Sequence, residues 1–221
     1  MDRKTEPVRT VALLLLGLLW AGLVRGDWGE QLGLKPGALL VASPKQPEGP
    51  FARSVVLLVG YGPAGAQGVI INRPTADDLR RDFGDRLQPD VASAPLYYGG
   101  PVGAEHRLLL TDRAASGARG YEVVEGVFFI HGRWLMAGLE SLPSQGARYR
   151  VLAGYAGWGR LQLEHEVARG DWFVLPASHH FVLEFAPEQL WEELLRYYQA
   201  QMAFTVPWLQ PLPTPNQRRA L

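Results

Sequence analysis

Gly154-Tyr155-Ala156-Gly157-Trp158-Gly159-Arg160-Leu161-Gln162-Leu163-Glu164-His165-Glu166 decides how the chain is read. Residues 149–153 before it form a short apolar run, glycines then cluster around one tryptophan, and polar residues follow at helical spacing. The pattern predicts a strand that ends near Ala153, a glycine turn around Trp158, and a helix carrying Gln162, Glu164 and Glu166. Burying Trp158 would remove some 150–250 Å² from water, worth about 4–6 kcal/mol as an upper estimate. A gain of that size favours the core over an exposed stacking platform. Gln162 and Glu166, four residues apart, share one helical face, where they either line a polar pocket or meet solvent; Glu164 points elsewhere.

Outward from this stretch the body reads as one domain over residues 34–201. Short runs rich in Val, Ile and Leu, bounded by Gly or Pro, predict strands at 37–42, 54–59, 68–72, 96–98, 107–111, 126–131, 171–175 and 181–185. The breaker-rich residues 60–65 predict a hairpin between the second and third. Thr75, with Asp78 three residues on, predicts a capped helix to about Phe83. A second helix is expected over 133–140. A third starts at Pro187 and runs to about Gln201, with Leu190, Trp191, Leu194, Leu195 and Tyr198 at amphipathic spacing. Strands and short helices interleave without a β-α-β rhythm, which argues for a single α+β domain with complex mixed sheets. Residues 207–221, with four prolines, read as a disordered tail.

The first 26 residues read differently. Residues 11–24 (VALLLLGLLWAGLV) carry no charge, Arg3, Lys4 and Arg9 precede them, and Arg25 follows. As a helix the run would be roughly 21 Å long, short against a hydrocarbon core of about 30 Å but the length of a signal-peptide centre. Three readings stand: a signal peptide cleaved after Gly26, an uncleaved membrane anchor, or a misassigned start codon that would leave the protein cytoplasmic. Membrane association is expected only through this segment.

Composition limits the chemistry. The chain has no cysteine, which removes disulfides, thiolate metal sites and a cysteine nucleophile. Its formal net charge is +0, so nothing demands the basic face of a duplex binder, and nucleic acid is not an expected partner. No Gly-x-Ser-x-Gly is present, and Ser54 enters a strand with no histidine–carboxylate pair assigned to it. No glycine-rich phosphate loop opens a helix, so no cofactor is expected. His165-Glu166 does not begin a zinc-protease motif, because Arg169 stands four residues after His165; His179-His180 lacks a third ligand. No metal site and no catalytic set are assigned.

Three motifs in order carry a resemblance. The first runs from Pro50-Phe51-Ala52-Arg53-Ser54-Val55-Val56 to Gly65-Ala66-Gln67-Gly68-Val69-Ile70-Ile71-Asn72-Arg73-Pro74. Tyr98-Gly99-Gly100-Pro101-Val102 follows, and then the opening stretch with Trp172 beyond it. Together they resemble the YqgE/AlgH family over about residues 34–195. The resemblance implies a small barrel-like sheet surrounded by helices, and no reaction. Some members of that family are labelled transcriptional regulators. Relatives usually keep a glycine where this chain has Leu161, and usually begin close to the first strand.

The candidate ligand-binding residues are therefore Asn72, Arg73, Gly99, Gly100, Trp158, Gln162 and Glu166. Asn72 and Arg73 end a strand beside a proline, where α/β proteins place ligand groups; the bland alternative for Asn72 is turn chemistry. Gly99-Gly100-Pro101 either presents N–H groups to an anion or makes a tight turn. The favoured function is a non-enzymatic binding or regulatory module for a small molecule or a protein. The alternatives are a hydrolase-like enzyme using Glu166 and a transcriptional regulator.

Overall fold

The computed structural model describes residues 28–45, 48–114, 117–143 and 146–205. The leader of residues 1–26 and the tail of residues 207–221 lie outside the described residues.

The buried Val, Leu and Ile runs become β1 (Ala38–Ala42), β2 (Val55–Gly62) and β3 (Gly65–Ile70). They are followed by β4 (Pro74–Asp78), β5 (Pro95–Tyr98), β6 (Val102–Thr111), β7 (Gly120–Val124), β8 (Val127–His131), β9 (Tyr149–Gly159) and β10 (Trp172–Pro176). The main path is β10-β1-β2-β3-β9-β6-β8-β7, antiparallel at each step. β5 adds to β9 in parallel and pairs with β4 on its other side. The path curls back on itself. Tyr121 on β7 donates from Oη to the Val59 carbonyl of β2 at 2.8 Å. A Cβ on Gly37, just before β1, would lie 2.5 Å from the Val123 carbonyl oxygen. The result is a half-barrel in a single domain of mixed strands and helices.

The helices are α1 (Trp28–Gln31), α2 (Arg80–Phe83), α3 (Pro89–Ala92), α4 (Leu135–Glu140), α5 (Gln162–Ala168) and α6 (Pro187–Thr205). A π-helical turn spans His180–Glu184. Three apolar clusters divide the work. The concave side collects Leu57, Val69, Ile71, Leu108, Phe129 and Leu152 and is covered by Leu190 and Leu194 of α6. Leu40, Leu58, Trp158 and Trp172 pack under Leu163 of α5. Leu109, Ile130 and Val151 pack under α3 and α4. Arg150 crosses into the first of these layers. Its guanidinium donates to the carbonyls of Ile71 and Phe185, and desolvation lowers its pKa against the opposing pull of Tyr97 and Glu188.

Several expectations are corrected. Residues 75–78 are strand, not helix, because β4 pairs with β5 and Thr75 Oγ1 donates to the Leu96 carbonyl at 2.8 Å. The helix shrinks to Arg80–Phe83, where Asp78 Oδ1 accepts from the Arg80 N–H at 3.1 Å. Residues 181–185, expected as strand, lie largely in the π turn, with the Phe185 N–H bonded to the His180 carbonyl at 2.9 Å. A five-residue apolar run has the same composition in a strand and in a buried helical turn, so periodicity does not separate them. The opening stretch is the third correction. β9 does not end near Ala153 but runs through all three glycines to Gly159. Gly154, at φ +73°, faces a bulge in which Val102 pairs with Tyr155 and Arg107 with Ala153. The turn itself is only Arg160 and Leu161.

Candidate functional site

The residues singled out by sequence meet at two places in the chain's own framework. Asn72, only 9% exposed, accepts from the Val55 N–H at 2.8 Å and donates to the Arg53 carbonyl at 3.0 Å. Arg73 donates to the Pro50 carbonyl at 2.7 Å and to the Ala52 carbonyl. Desolvation lowers its pKa, opposed by Tyr98. Both side chains therefore clasp the turn of residues 50–54 that leads into β2. From the other side Phe51 of that turn stacks on Trp158 at 6.1 Å and meets Trp172 edge-on at 5.5 Å.

Glu166 closes this second half. Its Oε2 accepts both indole N–H groups, from Trp158 and from Trp172, each at 2.9 Å. Its Oε1 accepts from Gln162 Nε2 at 3.0 Å, and Gln162 Oε1 caps the Gly159 N–H at 3.1 Å. Glu166 and Gln162 are thus fastened to the β9–α5 corner and are not free polar groups facing outward. Trp158 belongs to the core at 6% exposure. Glu164, set aside by the helical-face argument, is the buried one and accepts from Tyr61 Oη at 2.7 Å.

Gly99 and Gly100 stand apart from these clasps. A Cβ on Gly99 would sit 2.2 Å from the Gly154 carbonyl oxygen, and one on Gly100 2.2 Å from the Tyr155 carbonyl carbon. They are glycines because β9 passes too close for any side chain. The Gly99 N–H is spent on the Ala153 carbonyl at 2.7 Å, so it is not offered to an anion. Ser54 is fully buried, and its hydroxyl has no hydrogen-bond partner among the described residues. No substrate reaches it.

A different set of polar side chains lines a cleft of about 440 Å³ at one end of the half-barrel. Strand alternation builds it. On β3 and the residue after it Val69 and Ile71 face the concave core, so Gln67 points the same way at the rim. On β8 Val127 and Phe129 do so, and His131 follows them. The Gly154 bulge shifts β9 so that Tyr155 joins this face. The bulged residues Glu105 and His106 of β6 overhang the cleft, with the His106 and Tyr155 rings 6.5 Å apart. Leu108 and Leu135 give it an apolar floor. Arg107 is engaged with Asp82 at 2.5 Å and with the Ala104 carbonyl at 2.5 Å. Among the described residues Gln67, His131 and Tyr155 have no side-chain hydrogen bond.

Sequence reasoning missed this cleft, although part of it was legible. Gln67 and His131 are the polar ends of inward-facing alternations, Gln-x-Val-x-Ile and Val-x-Phe-x-His. Tyr155 was not legible, because the bulge resets its parity. The pair His179-His180 falls elsewhere, against Glu184 of the π turn: each Nδ1 lies 3.1 Å from one carboxylate oxygen. Among the described residues no group of three or more His, Asp or Glu is arranged to hold a metal ion.

A family model described as AlgH-like matches residues 39–203. A UPF0301 protein of Streptomyces coelicolor is 38% identical over 176 residues, covering 76% of this chain and 88% of that protein. A UPF0301 protein of Methylococcus capsulatus is 36% identical over 172 residues, covering 73% and 90%. Two solved structures share the fold. Protein DIP2367 of Corynebacterium diphtheriae superposes with a TM-score of 0.60 at 25% identity, covering 81% of this chain and 89% of that one. The solution structure of the AlgH protein of Pseudomonas aeruginosa gives 0.58 at 25% identity, covering 81% and 95%.

Proposed function

The chain belongs to the AlgH-like family, and on that premise we propose that it is a non-enzymatic binding module that takes a small ligand into the mouth of its half-barrel. One contrast supports this reading. The side chains of Asn72, Arg73, Trp158, Gln162 and Glu166 are consumed by the fold, while Gln67, His131 and Tyr155 line a cleft with their hydrogen-bonding capacity unspent. The cleft lies within the range of roughly 300–1,000 Å³ that small-molecule sites occupy, and barrel mouths are a common place for them. Its amide, imidazole and phenol groups offer donors and acceptors over an apolar floor. Arg107 is already neutralised by Asp82, so the cleft favours a ligand without a phosphate or sulfate group.

The hydrolase alternative loses its footing at Glu166. That carboxylate is surrounded by two indoles and an amide, none of which exchanges protons in catalysis, and general acid–base work needs a second titratable partner. Any regulatory role would then be exerted through the bound ligand.

The test is two-dimensional NMR of the protein against a library of small polar heteroaromatic and aliphatic fragments. Binding should perturb Gln67, His131 and Tyr155 together. Perturbations centred on Asn72, Gln162 and Glu166, or none at the mouth from any fragment, would overturn the reading.

A further inference from the structure

Leu161 is unaccounted for by the fold. It sits in the left-handed region at φ 60° and ψ 1°, and its side chain is 45% exposed. That backbone conformation is strained for an L-residue, and glycine escapes the strain. A leucine that leaves nearly half its surface in water gains little from the domain's own packing to offset that strain. Its surroundings are equally open. Leu161, Arg160 and Glu164 share a cleft of about 340 Å³ with Tyr61, Gly62 and Pro63 of the β2–β3 hairpin. Arg160 and, near α1, Lys35 are exposed, and neither has an ion-pair partner among the described residues.

The N-terminal segment is tethered to this corner. Gly29 of α1 lies so close to Tyr61 that a Cβ would stand 1.7 Å from the Tyr61 hydroxyl oxygen. That hydroxyl bonds Glu164, three residues after Leu161. From Val24, the end of the uncharged run of residues 11–24, to Trp28 are four Cα steps, at most about 15 Å. The chain therefore enters the described domain at α1, beside the Tyr61–Glu164 pair of this corner.

We propose that the folded domain itself rests on a lipid bilayer through Leu161, Arg160 and the hairpin tip around Pro63. This goes beyond attachment by the leader, although it rests on the leader being retained as an anchor. A bilayer satisfies each feature at once. Its interface accepts the projecting leucine, and anionic headgroups meet Arg160 and Lys35. The exposed leucine would then be favoured for the contact it makes and not for the turn it strains.

The absence of cysteine makes the test direct. The full chain is reconstituted in nanodiscs of phosphatidylcholine and phosphatidylglycerol with a bimane label on L161C, on P63C, or on R113C as control. Arg113 follows β6 at Thr111, which pairs with Tyr149 at the far end of β9. Lipids carrying a nitroxide near the headgroup should quench the labels at positions 161 and 63 severalfold more than the label at 113. Adding R160E and K35E should weaken that quenching. Equal, weak quenching at all three positions would overturn the proposal. So would an unquenched label at 161 together with disulfide formation between copies by the unlabelled L161C chain, which would assign the corner to a protein interface. The P63C probe keeps the question answerable if L161C does not fold.

Discussion

Leu161 and Glu166 sit five positions apart and show opposite relations to the fold. Leu161 occupies a left-handed backbone position that glycine adopts without strain, so Leu161→Gly should raise stability by about 1 kcal/mol. A calorimetric Tm unchanged or lowered by that substitution would show that the side chain packs usefully after all. Glu166 is the converse. Removing its carboxylate in Glu166→Ala strands two indole N–H groups on tryptophans that are 6% and 3% exposed. Each orphaned buried donor costs about 1–3 kcal/mol, so a total near 3 kcal/mol is expected in denaturant titrations followed by tryptophan fluorescence. A loss below about 1 kcal/mol would mean that water replaces the carboxylate freely. At this scale the sequence reveals residue type and spacing but not partners. Gln162 and Glu166 were legible as one helical face; that the face turns back onto Trp158 and Trp172 depends on β10 arriving from elsewhere in the chain.

Among the elements, buried strands and the amphipathic helix α6 were the legible ones, because their periodicity reports burial directly. Elements defined by pairing were not. β4 carries Pro-Thr-Ala-Asp-Asp, a poor strand sequence that exists because β5 lies beside it. β7, Gly-Tyr-Glu-Val-Val, carries strand formers but buries only Val123, so it lacks the buried apolar run that marks the other strands. The π turn His180–Glu184 has an apolar middle that reads as strand, while its function is electrostatic. The hydrogen bond from His180, with the charges of Arg148, His179 and His180, holds the Glu184 carboxyl below its ordinary value, and desolvation opposes them. A depressed carboxyl pKa contributes stability that is present above the ordinary glutamate value and lost as pH falls through the depressed one. Glu184→Gln should therefore lower Tm at neutral pH and leave it close to the parent's in strong acid. A difference that persists unchanged at low pH would show that packing, not charge, holds the turn.

For the molecule as a whole, the curl of the sheet explains why the candidate residues read from sequence and the mouth of the half-barrel are different sets of side chains. Asn72, Arg73, Trp158 and Glu166 fasten the 50–54 turn and the β9–α5 corner, the places where local sequence must be most specific for the half-barrel to form. The mouth is instead assembled from residues of β3, β6, β8 and β9, far apart in sequence, and becomes visible only when the strand order is known. The central claim is that these two sets are separable, the first holding the fold and the second holding a ligand. It is tested by measuring, for one fragment that binds the mouth, both its affinity and the urea midpoint of two variants. Gln67→Ala with His131→Ala should lose binding at least about tenfold, the equivalent of about 1.4 kcal/mol, with an unchanged midpoint. Glu166→Ala should lower the midpoint and, at temperatures where it remains folded, bind the fragment as the parent does. Binding lost in Glu166→Ala but kept in the Gln67 and His131 variant would contradict the account.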